Sequence, residues 1–334
     1  MRTSSRTSGR APRGLSADLR VDAWLERRGY RASDFSVRDL VRRKAESVSV
    51  VLPAREVADT IGPIVDALRP LERAGLVDEV LVIDAGSRDG TATAAERHGA
   101  RVLQESELMA HLGPCLGKGD AMWRALTATA GDVVCFIDAD TVDFEPHFAV
   151  GMLGPLLTEP EVAFVKGTFR RPMRVGEAVD PDGGGRVTEL MARPLLSLVA
   201  PDLGGFGQPL AGETAARADL LAEMPFPVGY GVETAMLIDA HRICGLDAMA
   251  QVDLGSRLNR HQPLRELSAM ALAVLCTGLR RGPHPEMLDE LAPGRMLLPR
   301  PGDQPLVRDI PLIERPPLAS LRDRDPAIGA HGAA

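Results

Sequence analysis

The chain has 334 residues, 45% of them hydrophobic and 25% charged, and its 39 Lys and Arg against 46 Asp and Glu give a net charge of −7. This is the composition of a globular protein with a sizeable core, and it excludes a mainly disordered, collagen-like or rod-like chain. The acidic balance argues against a broad surface for nucleic acid or anionic lipid, and apolar runs such as 133–137 and 269–276 fall far short of the roughly 20 residues that span a bilayer; no nucleic-acid or membrane partner is expected.

Residues 1–20 hold several Arg and Ser but no apolar stretch of about 7 to 15 residues, so no secretory leader is read and the protein is expected to be cytoplasmic, with residues 1–44 a flexible extension. From Ser47, VSVVLP reads as a strand stopped by Pro53, and Ile61, Ile64, Val65 and Leu68 give the spacing of a helix. EVLVID (79–84) is a second strand, followed by a Gly/Ser turn and a helix near 91–98. ARVLQ (100–104) is a third strand, a helix begins near Gly119, and DVVCFID (132–138) is an apolar strand with acidic residues at its end. Strands that alternate with helices and lack polar alternation predict a mainly parallel sheet covered on both faces, whose ligands bind beyond the carboxyl ends of the strands. That rule singles out residues 53–56, 84–89 and 138–140.

The second half reads as a strand at 162–169, a Gly-rich turn at 183–185, helices near 187–199, 213–222 and 233–244, a strand at 248–254 and a long helix from about 263 to 279. No composition break or solenoid repeat divides it, so one domain over 45–320 is expected, with 293–317 packed against it or forming a lid and 321–334 disordered. Cys115, Cys135, Cys244 and Cys276 have no CxxC spacing and read as reduced, packed thiols.

The strongest chemical signal is Asp138-Ala139-Asp140, directly after a buried strand. Two carboxylates one residue apart at a sheet's carboxyl edge suit a hard divalent cation that also takes oxygens from a diphosphate; a pair of surface aspartates is the alternative. Lys118 sits in LGKGDAMW, which lacks the spacing of a phosphate-binding P-loop. Gly183-Gly184-Gly185 can open the helix that follows, where Arg186 and Thr188 could grip a phosphate or carboxylate; an ordinary glycine loop with a capping Thr reads equally well. Arg257-Leu258-Asn259-Arg260-His261 follows a strand, and His261 could complete a metal site. Glu233 heads a helix, either as a favourable charge in its first turn or as a binder of sugar hydroxyls.

The ordered series VSVVLPA, VIDAGSRDGT, GKGDAMW, FIDAD, FVKGTFRRP, GGGRVTEL, QPLAGE, GYGVE and AMAQVDLG, over about 47–281, resembles the glucosyl-3-phosphoglycerate synthases and their mannosyl relatives, and IERPP at 313–317 fits the same pattern. The resemblance implies an α/β GT-A (Rossmann-like) nucleotide-sugar fold, a mainly parallel sheet flanked by helices. It implies a retaining glycosyltransferase that moves glucose from a nucleotide diphosphate glucose to the 2-hydroxyl of D-3-phosphoglycerate, with Mg2+ or Mn2+, in a homodimer. Carried over, Pro53, Ala54 and Asp84 line the nucleotide, Lys118 the diphosphate, and Asp138 and Asp140 form the acidic pair, Asp140 as direct metal ligand. Leu210, Ala211, Gly212 and Glu233 hold the donor sugar, and Gly185, Arg186, Thr188 and Arg257 the acceptor. Lys118, Asp138, Glu233 and Arg257 are the candidate catalytic set.

Two positions depart from the glucosyl pattern. A glutamate expected beside the nucleoside is replaced by Val57, and the metal histidine position holds Asn259, with His261 two residues on, as in mannosyl members; the metal role is assigned to His261. The residues leave open glucose or mannose and uridine or guanosine in the donor, with a mannosyl-3-phosphoglycerate synthase using GDP-mannose as the alternative. A sugar-phosphate nucleotidylyltransferase would carry a Gly-rich loop where this chain has LPAREVADT, and a non-catalytic nucleotide-sugar binder is the third reading. No motif residue is dedicated to attack on the anomeric carbon, so the resemblance favours front-face transfer over a covalent intermediate.

Overall fold

The structure, a computed structural model, describes residues 17–175, 178–181, 183–257, 263–291, 294–300 and 302–322. In chain order the first half comprises α1 (Ala17–Arg28), β1 (Gly29–Arg31), α2 (Val37–Arg43), β2 (Val48–Ala54), α3 (Ala58–Arg73), β3 (Glu79–Asp84), α4 (Thr91–Arg97), β4 (Arg101–Gln104), α5 (Lys118–Ala125), β5 (Val133–Phe136) and α6 (Pro146–Thr158). There follow β6 (Phe164–Arg170), β7 (Met173–Val175), β8 (Ala178–Asp180), α7 (Arg193–Val199), β9 (Thr214–Arg217), α8 (Ala218–Ala222), β10 (Phe226–Pro227), α9 (Val232–Cys244) and β11 (Met249–Ser256). The chain continues through α10 (Leu264–Arg280), α11 (Glu286–Leu291), β12 (Arg295–Arg300), β13 (Asp303–Asp309), β14 (Glu314–Arg315) and α12 (Ala319–Arg322).

Eight strands form one sheet in the order β1-β11-β6-β9-β5-β2-β3-β4, all parallel except β9, which runs antiparallel to both β5 and β6. The central strands are buried end to end, as their unbroken apolar runs require, because helices cover both faces. One layer packs α3 and α6 against Val50, Leu52 and Val82; the other packs α5 and α9 against Val51, Leu81 and Phe136. The chain moves outward from β2 to β3 and β4, then returns to β5 on the other side of β2. The carboxyl ends of β2 and β5 therefore flank the switch point where such sheets bind ligands. Among the described residues, no helix is long and apolar enough to cross a membrane.

Three expectations need correction. The extension expected over residues 1–44 is folded from residue 17 onward: Trp24 is fully buried, donates to the Met249 carbonyl at 2.8 Å and packs on Phe206, while β1 adds an edge strand beside β11. Residues 213–222, read as one helix, split into β9 and α8, because β5 and β6 each offer an open edge that pairs with β9. Residues 187–199 are not one regular α-helix either, since a π-turn over Thr188–Ala192 precedes α7. All four cysteines are free, and burial pushes the Cys115 thiol up to about 12, so this cavity-lining sulfur stays protonated at neutral pH.

Candidate active site

A cavity of about 860 Å³ opens at the carboxyl edge of the sheet, a volume suited to a small-molecule ligand of drug size or larger. The β2 end brings Pro53, Ala54 and Val57 to its wall, and β5 brings Asp138 and Asp140. Lys118 enters as the first residue of α5 and Glu233 from the first turn of α9. Gly185, Arg186, Thr188 and Leu210 also line the cavity.

The acidic pair lies at the centre. Lys118 Nζ donates to Asp138 Oδ1 at 2.6 Å and to Glu233 Oε1 at 2.7 Å. Burial alone would lower the Lys118 ammonium, but the two carboxylates outweigh it and hold it above the usual lysine range. Asp138 is desolvated as well, yet Lys118 and Arg257 keep its carboxyl well below the usual carboxylate range. Arg257 Nη1 reaches Asp138 Oδ2 at 3.0 Å, and Nη2 reaches Asp140 Oδ1 at 2.9 Å. A Cβ on Gly212 would lie 1.9 Å from Asp138 Oδ1, so this glycine is what lets the Asp138 carboxylate occupy its place.

Asp138 Oδ2 and Asp140 Oδ1 thus both face the Arg257 guanidinium, and two hard carboxylates of this kind suit Mg2+ or Mn2+ completed by substrate oxygens. Among the described residues, no group of three or more His, Cys, Asp or Glu gathers as a metal site. His261 lies outside the described residues.

The remaining expected residues divide by position. Asp84 is 1% exposed and does not line the cavity, although Ile83 and Ala85 on either side of it do; its Oδ2 accepts from the Ser87 amide at 3.2 Å, and its buried Oδ1 has no protein partner. Ala211 is buried in the hydrophobic core and does not line the cavity. Val57 heads α3, and its amide donates to Thr91 Oγ1 at 2.9 Å, so the loop is held by its backbone without the expected glutamate.

Among the buried charges that sequence reasoning missed, two lie beside this cluster. Glu213 is fully buried and accepts from Arg257 Nη1 at 2.6 and 2.8 Å. Lys166, on β6, is 1% exposed and donates to Thr214 Oγ1 at 2.9 Å. Only its place in a parallel strand, inside FVKGTFRRP, could have marked Lys166 as buried.

Burial lowers the Lys166 ammonium from 10.5 to about 8, against the pull of Glu233. Its folded pKa lies below the unfolded value, so the unfolded chain binds more protons between pH 8 and 10.5, and stability rises with pH across that window. At about 1.36 kcal/mol per unit, the stability of the native chain relative to a Lys166→Met variant should improve by about 3 kcal/mol between pH 7 and 10.5. Urea unfolding of both proteins measures this, and a pH-independent difference would show that the buried ammonium keeps its proton.

Residues 49–181 match the model of glycosyl transferase family 2. The chain is 43% identical over 304 residues to the glucosyl-3-phosphoglycerate synthase of Mycolicibacterium smegmatis, covering 90% of this chain and 99% of the relative. A crystal structure of mannosyl-3-phosphoglycerate synthase from Rubrobacter xylanophilus superposes with a TM-score of 0.79 at 45% identity, covering 90% of this chain and 99% of that one. The Mycobacterium tuberculosis glucosyl-3-phosphoglycerate synthase, solved with Mn2+, UDP-glucose and phosphoglyceric acid, superposes with a TM-score of 0.77 at 40% identity, covering 86% and 96%. The mainly parallel sheet is the GT-A arrangement of these structures.

Proposed function

The chain belongs to the glucosyl-3-phosphoglycerate synthase family, and from that premise we propose that it is a retaining hexosyltransferase moving glucose from a nucleotide diphosphate glucose to the 2-hydroxyl of D-3-phosphoglycerate. The observation that carries the reading is the convergence of Asp138, Asp140, Lys118 and Glu233 at the sheet's switch point. Asp138 and Asp140 would hold Mg2+ or Mn2+, with His261 as the further protein ligand. The bound cation neutralises the charge that builds on the departing diphosphate.

The protein's own groups do the rest. Lys118 supplies a fixed positive charge to the diphosphate, and Pro53, Ala54 and Asp84 hold the nucleoside. Glu233, with the Leu210, Ala211 and Gly212 turn, orients the sugar; Gly185, Arg186, Thr188 and Arg257 receive the phosphate and carboxylate of the acceptor. Glu233, Asp138 and Glu213 are each bonded to a Lys or Arg side chain, and this supports front-face transfer without a carboxylate nucleophile. We also infer a homodimer, which a monomeric mass in solution would contradict.

The deciding experiment offers 3-phosphoglycerate and a divalent metal with UDP-glucose, GDP-glucose or GDP-mannose, and follows nucleoside diphosphate release and product mass. A glucosyl product from a glucose donor is expected. Turnover only with GDP-mannose would move the assignment to the mannosyl relative, and no turnover with any donor would overturn both.

A further inference from the structure

No residue of segment 310–318 has a role in the transfer described above, yet Ile310, Pro311, Leu312 and Glu314 form part of the cavity wall. Its backbone is anchored throughout. Arg280 Nη1 donates to the Leu312 carbonyl at 2.9 Å, the Val228 amide to Ile313 at 3.0 Å, and Trp123 Nε1 to Pro316 at 2.8 Å. Between these anchors, β14 pairs antiparallel with β10, immediately ahead of the loop that leads into α9.

Successive side chains of a strand point to opposite sides, and here Arg315 reaches α5 directly while Glu314 reaches α9 through Arg281, the residue that follows α10. Arg315 Nε and Nη2 grip both oxygens of Asp120 at 2.9 and 2.8 Å, and its guanidinium lies 5.7 Å from the Trp123 ring centroid. Asp120 is fully buried in the first turn of α5, the turn that begins with Lys118. Glu314 instead accepts from Arg281 Nη1 at 2.7 Å, and Arg281 Nε donates to Asp239 Oδ2 at 2.8 Å, further along α9, whose first turn carries Glu233. Asp120 also accepts from Arg124, which binds the carbonyls of Leu108 and Gly113 at 2.8 and 2.9 Å and so ties down the loop before α5.

We propose that Glu314 and Arg315 are positioning residues for the transfer: the strap they belong to cross-braces α5 and α9 and sets the Lys118 and Glu233 side chains against donor diphosphate and sugar. The proposal rests on the roles given above to Lys118 and Glu233. Neither Glu314 nor Arg315 acts on substrate through the brace; both act through helices whose first turns carry the reacting geometry. Misplacing such groups by about 1 Å can cost on the order of 100-fold in rate.

The test compares the 334-residue chain with its Arg315→Met, Arg315→Lys and Glu314→Gln variants. Arg315→Met is expected to lower kcat by about 10- to 100-fold while the KM for 3-phosphoglycerate stays within about two-fold, and Arg315→Lys to recover part of the loss. Amide hydrogen exchange of the substrate-free proteins should accelerate over 118–125 in Arg315→Met and over 232–244 in Glu314→Gln. Native kcat in Arg315→Met, or a kcat loss with unchanged exchange in α5, would overturn the brace. Should Arg315→Met not fold, Glu314→Gln decides by the same two readouts. Failure of the native protein to transfer any hexose would instead count against the functional reading, and the exchange data would still decide whether the brace exists.

Discussion

Asp140→Ala should lower kcat by at least about 1000-fold and leave the fold intact. The side chain is 49% exposed, and its contact with the site is one hydrogen bond from Arg257 Nη2 at 2.9 Å. Removing it leaves Arg257 bonded to Glu213 and Asp138, so no buried charge is orphaned and the stability change should stay within about 1 kcal/mol. The effect on transfer is of another size, because a metal ion at a departing diphosphate supplies several kcal/mol of charge stabilisation, and about 4 kcal/mol corresponds to about 1000-fold in rate. Turnover, thermal unfolding and Mn2+ binding measured on the same preparation separate the two consequences. Loss of Mn2+ binding and turnover with an unchanged melting temperature is the expected pattern; retained turnover would remove Asp140 from the proposed metal site.

The half of the sheet that builds the donor end was legible because its physics is local. VSVVLPA, EVLVID and DVVCFID are apolar without alternation, which only a strand covered on both faces tolerates, and the acidic pair follows the third of them directly. What escaped depends on partners far away in sequence. Trp24 finds its hydrogen-bond acceptor 225 residues on, so the Arg-rich segment around it read as a tail. The run ETAARADLLA has helical composition, and only the edges of β5 and β6 draw its first part into β9. Glu213, at the head of that strand, looks like an ordinary charge after a glycine turn until Arg257 is placed against it. Arg257 was expected at the acceptor, and the structure adds that its guanidinium spans Asp138, Asp140 and Glu213 at once.

That arrangement makes Glu213→Ala the substitution with the largest expected effect on stability. The Arg257 side chain is fully buried, its Nε has no hydrogen-bond partner, and three carboxylates hold its charge above the usual arginine range despite desolvation. Breaking a buried ion pair by removing one partner costs about 3–5 kcal/mol when the remaining charge is left uncompensated; Arg257 retains two carboxylates, so the loss should fall short of that range and still exceed that of Asp140→Ala, because Glu213 is fully buried and accepts two of the bonds. Without Glu213, the guanidinium keeps only Asp138 and Asp140, the two residues proposed to hold the cation, and competes with it for both. Glu213→Ala should therefore lower both the unfolding free energy and the apparent Mn2+ affinity, whereas Asp140→Ala affects chiefly the second. A double substitution, Glu213→Ala with Arg257→Met, removes both buried charges together and should regain part of the lost stability while remaining inactive. Urea unfolding and Mn2+ titration of the native protein, Glu213→Ala, Arg257→Met and the double variant form one cycle. If the two stability losses simply add, Glu213 and Arg257 are not coupled, and the carboxylate does not hold the arginine in place.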